Sequence, residues 1–110
     1  MMTNEFEKGS KFSFDNSIDY SPMAIVSKHV LKKQAGNISL FDFDRGEGLS
    51  EHSEPYDALV QIVDGRAEII IDGKSNVLEA GESIVMPADV PHALKATERF
   101  KMLLTMIKSK

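Results

Sequence analysis

The chain contains no cysteine in its 110 residues. That excludes disulfides, thiolate metal ligands and a cysteine nucleophile, and it fits a reducing cytoplasm, where the sequence places the protein. No apolar run approaches the ~20 residues that span a bilayer. The opening Met-Met-Thr-Asn-Glu-Phe-Glu-Lys lacks the apolar stretch of a signal peptide. Positive charge is not in excess either. Seventeen acidic residues face 13 basic ones, so the net charge of −4 draws the molecule to neither nucleic acid nor anionic lipid. Lys95, Arg99, Lys101, Lys108 and Lys110 make the C-terminal end locally basic, but no exposed aromatics interleave with them for base stacking, and they read as a solvated surface. A Gly-x-Ser-x-Gly elbow and the glycine-rich phosphate motifs are missing too.

What the sequence does contain is a series of short β-rich stretches separated by turn residues. Its length is that of one domain. Ala24–Lys32 reads as a strand, Gln34-Ala-Gly-Asn as a turn, and Asn37–Asp44 as the next strand. Ala58–Val63 is apolar and β-branched. Asp64-Gly65 and Asp72-Gly73 both read as hairpin turns, with Ala67, Ile69 and Ile71 sharing a face between them. Such spacing predicts an all-β sandwich or barrel. Residues 1–22 form an N-terminal arm, partly flexible or packed on the sheet or a partner subunit. Within the arm Lys11–Asp15 alternates like a short strand, with Phe12 and Phe14 on one face. Residues 23–110 form the barrel domain. Phe100–Lys108 is ambiguous, because Phe100, Leu103, Leu104 and Ile107 fit a helix while Phe100, Met102, Leu104 and Met106 fit a strand.

Two segments carry the chemistry. Gly46 stands six residues before His52, and Gly65 follows at the end of the next apolar stretch. Gly81 stands six before Pro87, and His92 follows five later. This pair of motifs resembles the cupin superfamily, over residues 46–92 and with no gap. The resemblance implies a single cupin barrel, a double-stranded β-helix or jelly-roll, in which residues 100–108 are a closing strand. It implies a homodimer as well, and the apolar outward positions Leu59 and Val63 point the same way.

The departures bear on function. Glu54 stands where the family usually has its second histidine, and Ala58 where it has a glutamate ligand. Asp89 and Ala96 replace a glycine and an asparagine. Of the four usual ligands His52 and His92 remain. Strand parity puts Glu54 and Tyr56 on the face of His52. A carboxylate turned into an apolar barrel must ligate a metal, pair with a histidinium or take up a proton. His52, Glu54 and His92 would make a two-histidine, one-carboxylate set for a divalent ion, Fe, Mn, Ni or Zn. Tyr56, Val60, Ile62, Met86 and Met102 are the expected pocket, with Met106 also inward. His29 reads as a structural histidine. The expected function is the binding of a small molecule in the barrel, with or without a divalent metal. The alternative is a metal-dependent enzyme of dioxygenase or isomerase type using His52, Glu54 and His92.

Overall fold

The computed structural model describes residues 2–4 and 6–108, with side chains from residue 6 onward. Lys110 of the basic C-terminal end lies outside the described residues. Within them the chain forms β1 (Met2–Asn4), β2 (Ile25–Lys33), β3 (Gly36–Phe43), β4 (Gly48–His52), β5 (Ala58–Ile71), β6 (Lys74–Glu79), β7 (Ser83–Met86), β8 (His92–Lys95) and β9 (Phe100–Ile107). The strand order is β1-β2-β3-β9-β5-β8-β4, and β6 and β7 also pair with β5. Every pairing is antiparallel except β1 with β2. This is the all-β barrel expected from the sequence.

The fold turns on β5. Its first half pairs with β9 and β7, and its second half with β6 and β8, so one strand belongs to both layers of the barrel. The crossing point corrects a sequence expectation. Asp64-Gly65 closes no hairpin but lies inside the strand, beside a bulge between Ile62 and Asp64. Gly65 has φ +80°, and a Cβ there would collide with the Arg99 carbonyl. Glycine is required because the strand bends while another backbone passes against it. Asp72-Gly73, by contrast, is the expected hairpin. Both residues have positive φ (51° and 77°), and Ile71 pairs with Lys74 across the turn.

Residues 100–107 are a strand, as the resemblance implies. Held between β3 and β5, β9 sends Phe100, Met102 and Leu104 into the core. The rings of Phe43 and Phe100 stack there at 4.5 Å, around fully buried Val60, Ala67 and Ile69. The opposite face of β9 carries Leu103, which joins Leu40 and Ile18 in a second apolar cluster with Phe6, Phe14, Val26, Ile38 and Val63. Val63 thus faces outward as expected, under the chain's own N-terminal arm. The arm contains no strand at Lys11–Asp15 but a short 3-10 turn at Asp15–Ser17. Aromatic edges hold it instead, with Phe12 set between Phe6 and Phe14 at 4.6 and 5.1 Å.

Polar ties fasten the arm to the sheet. Lys101 donates to the Asp15 carbonyl at 2.6 Å and to its carboxylate at 3.0 Å, Lys28 donates to the Ser17 carbonyl at 2.7 Å, and the Tyr20 hydroxyl donates to Asp64 at 2.6 Å. Asp42, opposite Lys101 in the register, is fully buried, and neither carboxylate oxygen meets a hydrogen-bond partner. Burial pushes its pKa up to about 6, with the Asp19 and Asp44 charges acting the same way and the Lys101 charge opposing. An acid that holds its proton more tightly when folded loses stability as pH rises through its two pKa values. The contribution of Asp42 should therefore fall between about pH 4 and about pH 6, by up to roughly 3 kcal/mol. Asp42→Asn should remove that slope. Urea titrations of both proteins across this range check it, and parallel pH profiles would contradict it.

Candidate functional site

The site forms where β4 and β8 meet at one end of the barrel. His52 ends β4, His92 begins β8, and the two are directly opposed in the register. Leu49 and Leu94 are the preceding opposed pair, and both contribute to the core. Leu49 and His52 are three apart, an odd spacing that regular alternation would put on opposite faces. A bulge between them takes up the extra residue and lets both face the barrel interior.

The two rings lie edge to face with centroids 4.4 Å apart. In each ring Nδ1 meets the carbonyl two residues earlier, His52 with Ser50 at 2.8 Å and His92 with Val90 at 3.2 Å. A carbonyl only accepts, so the neutral form of each ring carries its proton on Nδ1 and its lone pair on Nε2. His52 is exposed at the mouth, whereas His92 is 5% exposed. Burial, aided by nearby His52, lowers the His92 pKa against the opposing effects of the Val90 carbonyl and the Glu54 charge.

Both histidines line a cavity of about 100 Å³, together with Glu54, Ala58, Met86, Met102, Met106, Leu49, Leu94 and Leu104. A wider depression of about 200 Å³ lies between the arm and the sheet, at Phe6, Glu7, Ser10, Phe12, Ser17 and Lys28, but it is open and contains no imidazole. The sequence reading placed His52, Glu54, His92, Met86 and Met102 in one site, and all five line the same cavity. Val60 and Ile62 face inward as parity predicts, but both are packed in the core and neither lines the cavity. Tyr56 does not line it either. Its segment, residues 53–57, is not a strand and bends at Pro55 and Tyr56, so alternation from His52 stops before it. His29 lies in β2 with Ser39 as a partner at 3.4 Å. Leu49 was not foreseen because nothing in the sequence marks the bulge. Met106 was visible in the strand parity of β9.

The loops around the mouth are tied to each other. The Asp89 amide donates to the Glu54 carbonyl at 2.7 Å, and the Ala88 amide to the Asp57 carboxylate at 2.8 Å. Asp89 has φ +63°, a conformation that glycine adopts without strain and aspartate tolerates better than most residues. The expected glycine position is thus a real backbone demand met by a different residue.

The donors do not assemble a divalent site. Among the described residues no group of three or more His, Cys, Asp or Glu side chains is placed to hold a metal ion. Ala58, at the position of the missing carboxylate, lines the same cavity with a methyl group. His52, Glu54 and His92 share the cavity without closing into the ligand set that the resemblance implies.

One consequence concerns acid. A base whose folded pKa is depressed takes up its proton first in the unfolded chain, so His92 should withdraw stability as pH falls below the ordinary 6.5. An NMR titration of the ring resonances should give a His92 midpoint below 6.5. A midpoint at or above it would contradict the buried, neutral ring.

Comparison with known proteins agrees with this geometry. The family model described as "Cupin domain" matches residues 39–108. A conserved protein of unknown function from Streptococcus pyogenes superposes with a TM-score of 0.91 at 36% identity, covering 97% of this chain and 94% of that one. A cupin 2 conserved barrel domain protein from Leptotrichia buccalis gives 0.85 at 41% identity, covering 88% of this chain and 47% of that one. A cupin superfamily protein from Desulfitobacterium hafniense gives 0.88 at 27% identity, covering 94% of this chain and 95% of that one. No curated protein matches the sequence. With the paired histidines at the barrel end and the family model spanning both motifs, the chain belongs to the cupin domain family.

Proposed function

We propose that the protein binds a small molecule in the barrel cavity, with His52 and His92 holding its polar end and the methionine wall its apolar end. The observation that carries this reading is the opposed imidazole pair, with both Nδ1 atoms engaged and neither Nε2 partnered among the described residues. A few convergent polar groups on an otherwise apolar concavity are the usual form of a ligand site. Two Nε2 lone pairs and the half-buried Glu54 carboxylate all accept hydrogen bonds, so they suit a ligand that presents O–H or N–H donors. Size limits it further. A cavity of about 100 Å³ is smaller than the roughly 150 Å³ that admits benzene. The buried part of the ligand is therefore no larger than a single ring.

The alternative, a metal-dependent dioxygenase or isomerase, ranks below binding because the donors stop short of a closed ligand set. The test is an NMR screen of compounds of one ring or less, comparing hydroxyl and amine donors with isosteres that lack them. Donors should shift the His52 and His92 resonances, and His92→Ala should abolish the effect. Shifts confined to the outer depression, or undiminished in His92→Ala, would overturn the reading.

We also propose that the protein works as a homodimer. Val85 and Ile107 are more than half exposed on the outer face of their strands, and Val85 pairs with outward Leu59. Sedimentation should give a dimer that Leu59→Glu dissociates. A wild-type monomer at micromolar concentration would dismiss it.

A further inference from the structure

The polar groups of the cavity that holds His52 and His92 are all of one kind. In its neutral form each ring spends its Nδ1–H on a backbone carbonyl, of Ser50 or of Val90, and has only the Nε2 lone pair left for a ligand. Glu54 adds a carboxylate, which accepts and cannot donate. Its charge is felt at His92, where it opposes the effect of burial. The rest of the lining is leucine, alanine and the thioethers of Met86, Met102 and Met106, which accept weakly at most. No side chain of the lining is left with a proton to give. Whatever displaces water from these groups must satisfy them as well as water does, or binding is weakened.

We infer that the cavity takes a small primary amine in its protonated form, the ammonium group donating to Nε2 of His52, to Nε2 of His92 and to the Glu54 carboxylate, with a short aliphatic tail against the methionines. The inference rests on the reading of this cavity as the ligand site and narrows its occupant. An ammonium group has three donors and no acceptor, the complement of a lining with three acceptors and no donor. A hydroxyl also donates, but its own lone pairs would meet no donor from the lining, and an oxygen buried without a partner costs affinity. A carboxylate would set a second negative charge beside Glu54. Net charge selects in the same direction. Ammonium and Glu54 sum to zero, so neither is left alone beside an apolar wall. The proton stays on the ligand. An alkylamine, like lysine, holds it to about pH 10, whereas His92 holds its own less tightly than an ordinary imidazole. Volume limits the tail. A cavity of about 100 Å³ falls below the roughly 150 Å³ that admits benzene, which favours an open chain over a ring. Methionine side chains adapt to such an irregular shape.

The test uses the full chain at about pH 7.5, between the ordinary ranges of histidine and of an alkylamine. Isobutylamine, isobutanol and isobutyrate share a branched tail and differ in the polar end. Each is titrated while the ring resonances of His52 and His92 are followed by NMR. Isobutylamine should shift both rings and bind at least about tenfold more tightly than isobutanol, the least that a hydrogen bond to a charged group contributes. Isobutyrate should bind more weakly than isobutanol. Glu54→Gln keeps the size of the side chain, removes its charge and should abolish the preference for the amine. Glu51→Gln, at an exposed glutamate of β4, should retain it, which separates Glu54 from the general negative charge of the chain. The ranking in the wild type decides the matter even if Glu54→Gln fails to fold. Isobutanol or isobutyrate bound as tightly as isobutylamine, or a preference that survives in Glu54→Gln, would overturn the inference and leave small-molecule binding standing. If none of the three compounds shifts the rings, the inference falls, and the wider reading falls with it only where ring-sized donors are silent too.

Discussion

The bend in β5 at Gly65 is the constraint from which the rest of the barrel follows. Four strands hydrogen-bond to β5, two on each side of the bend. A straight β5 would leave them in one flat sheet with no interior. The bend needs a left-handed residue at the point where the Arg99 backbone presses closest, and only glycine has neither the side chain nor the torsional penalty to prevent it. Once the strand turns, its second half presents β8 to β4, and His92 comes opposite His52.

How far the sequence revealed this depends on the element. Asp72-Gly73 was legible because the hairpin it makes is local. Asp64-Gly65 has the same letters and a different role. A positive φ serves a hairpin or a kink equally well, and only the long-range contact with Arg99 decides between them. The strand at Phe100–Ile107 was undecidable from periodicity. It is settled by β3 and β5 on either side, which supply hydrogen-bond partners that a helix would not need.

The site was legible in its histidines and illegible in its depth. The motif spacings brought His52 and His92 together, and parity found Met86 and Met102. Val60 and Ile62 share that inward parity, but position along the strand, not parity, separates a cavity wall from a packed core. Tyr56 failed for another reason, since alternation cannot be carried through the irregular segment 53–57 and its bend at Pro55 and Tyr56. The same cavity explains why Ala58 matters. A methyl group where a carboxylate is expected changes both the charge and the hardness of the interior, leaving the methionines to set its character.

The bulge in β4 has a further meaning. Between the pairs Leu49 with Leu94 and His52 with His92, β8 spends two residues and β4 spends three. A β4 shorter by Ser50 or Glu51 would run as an uninterrupted ladder with the same two pairs still opposed. The surplus residue is therefore not needed for alignment. What it supplies is a main-chain carbonyl released from the ladder, and the Ser50 carbonyl is the one that meets Nδ1 of His52. The irregularity works as a tautomer lock. It favours the Nδ1–H tautomer of an exposed ring, using backbone alone and no second side chain.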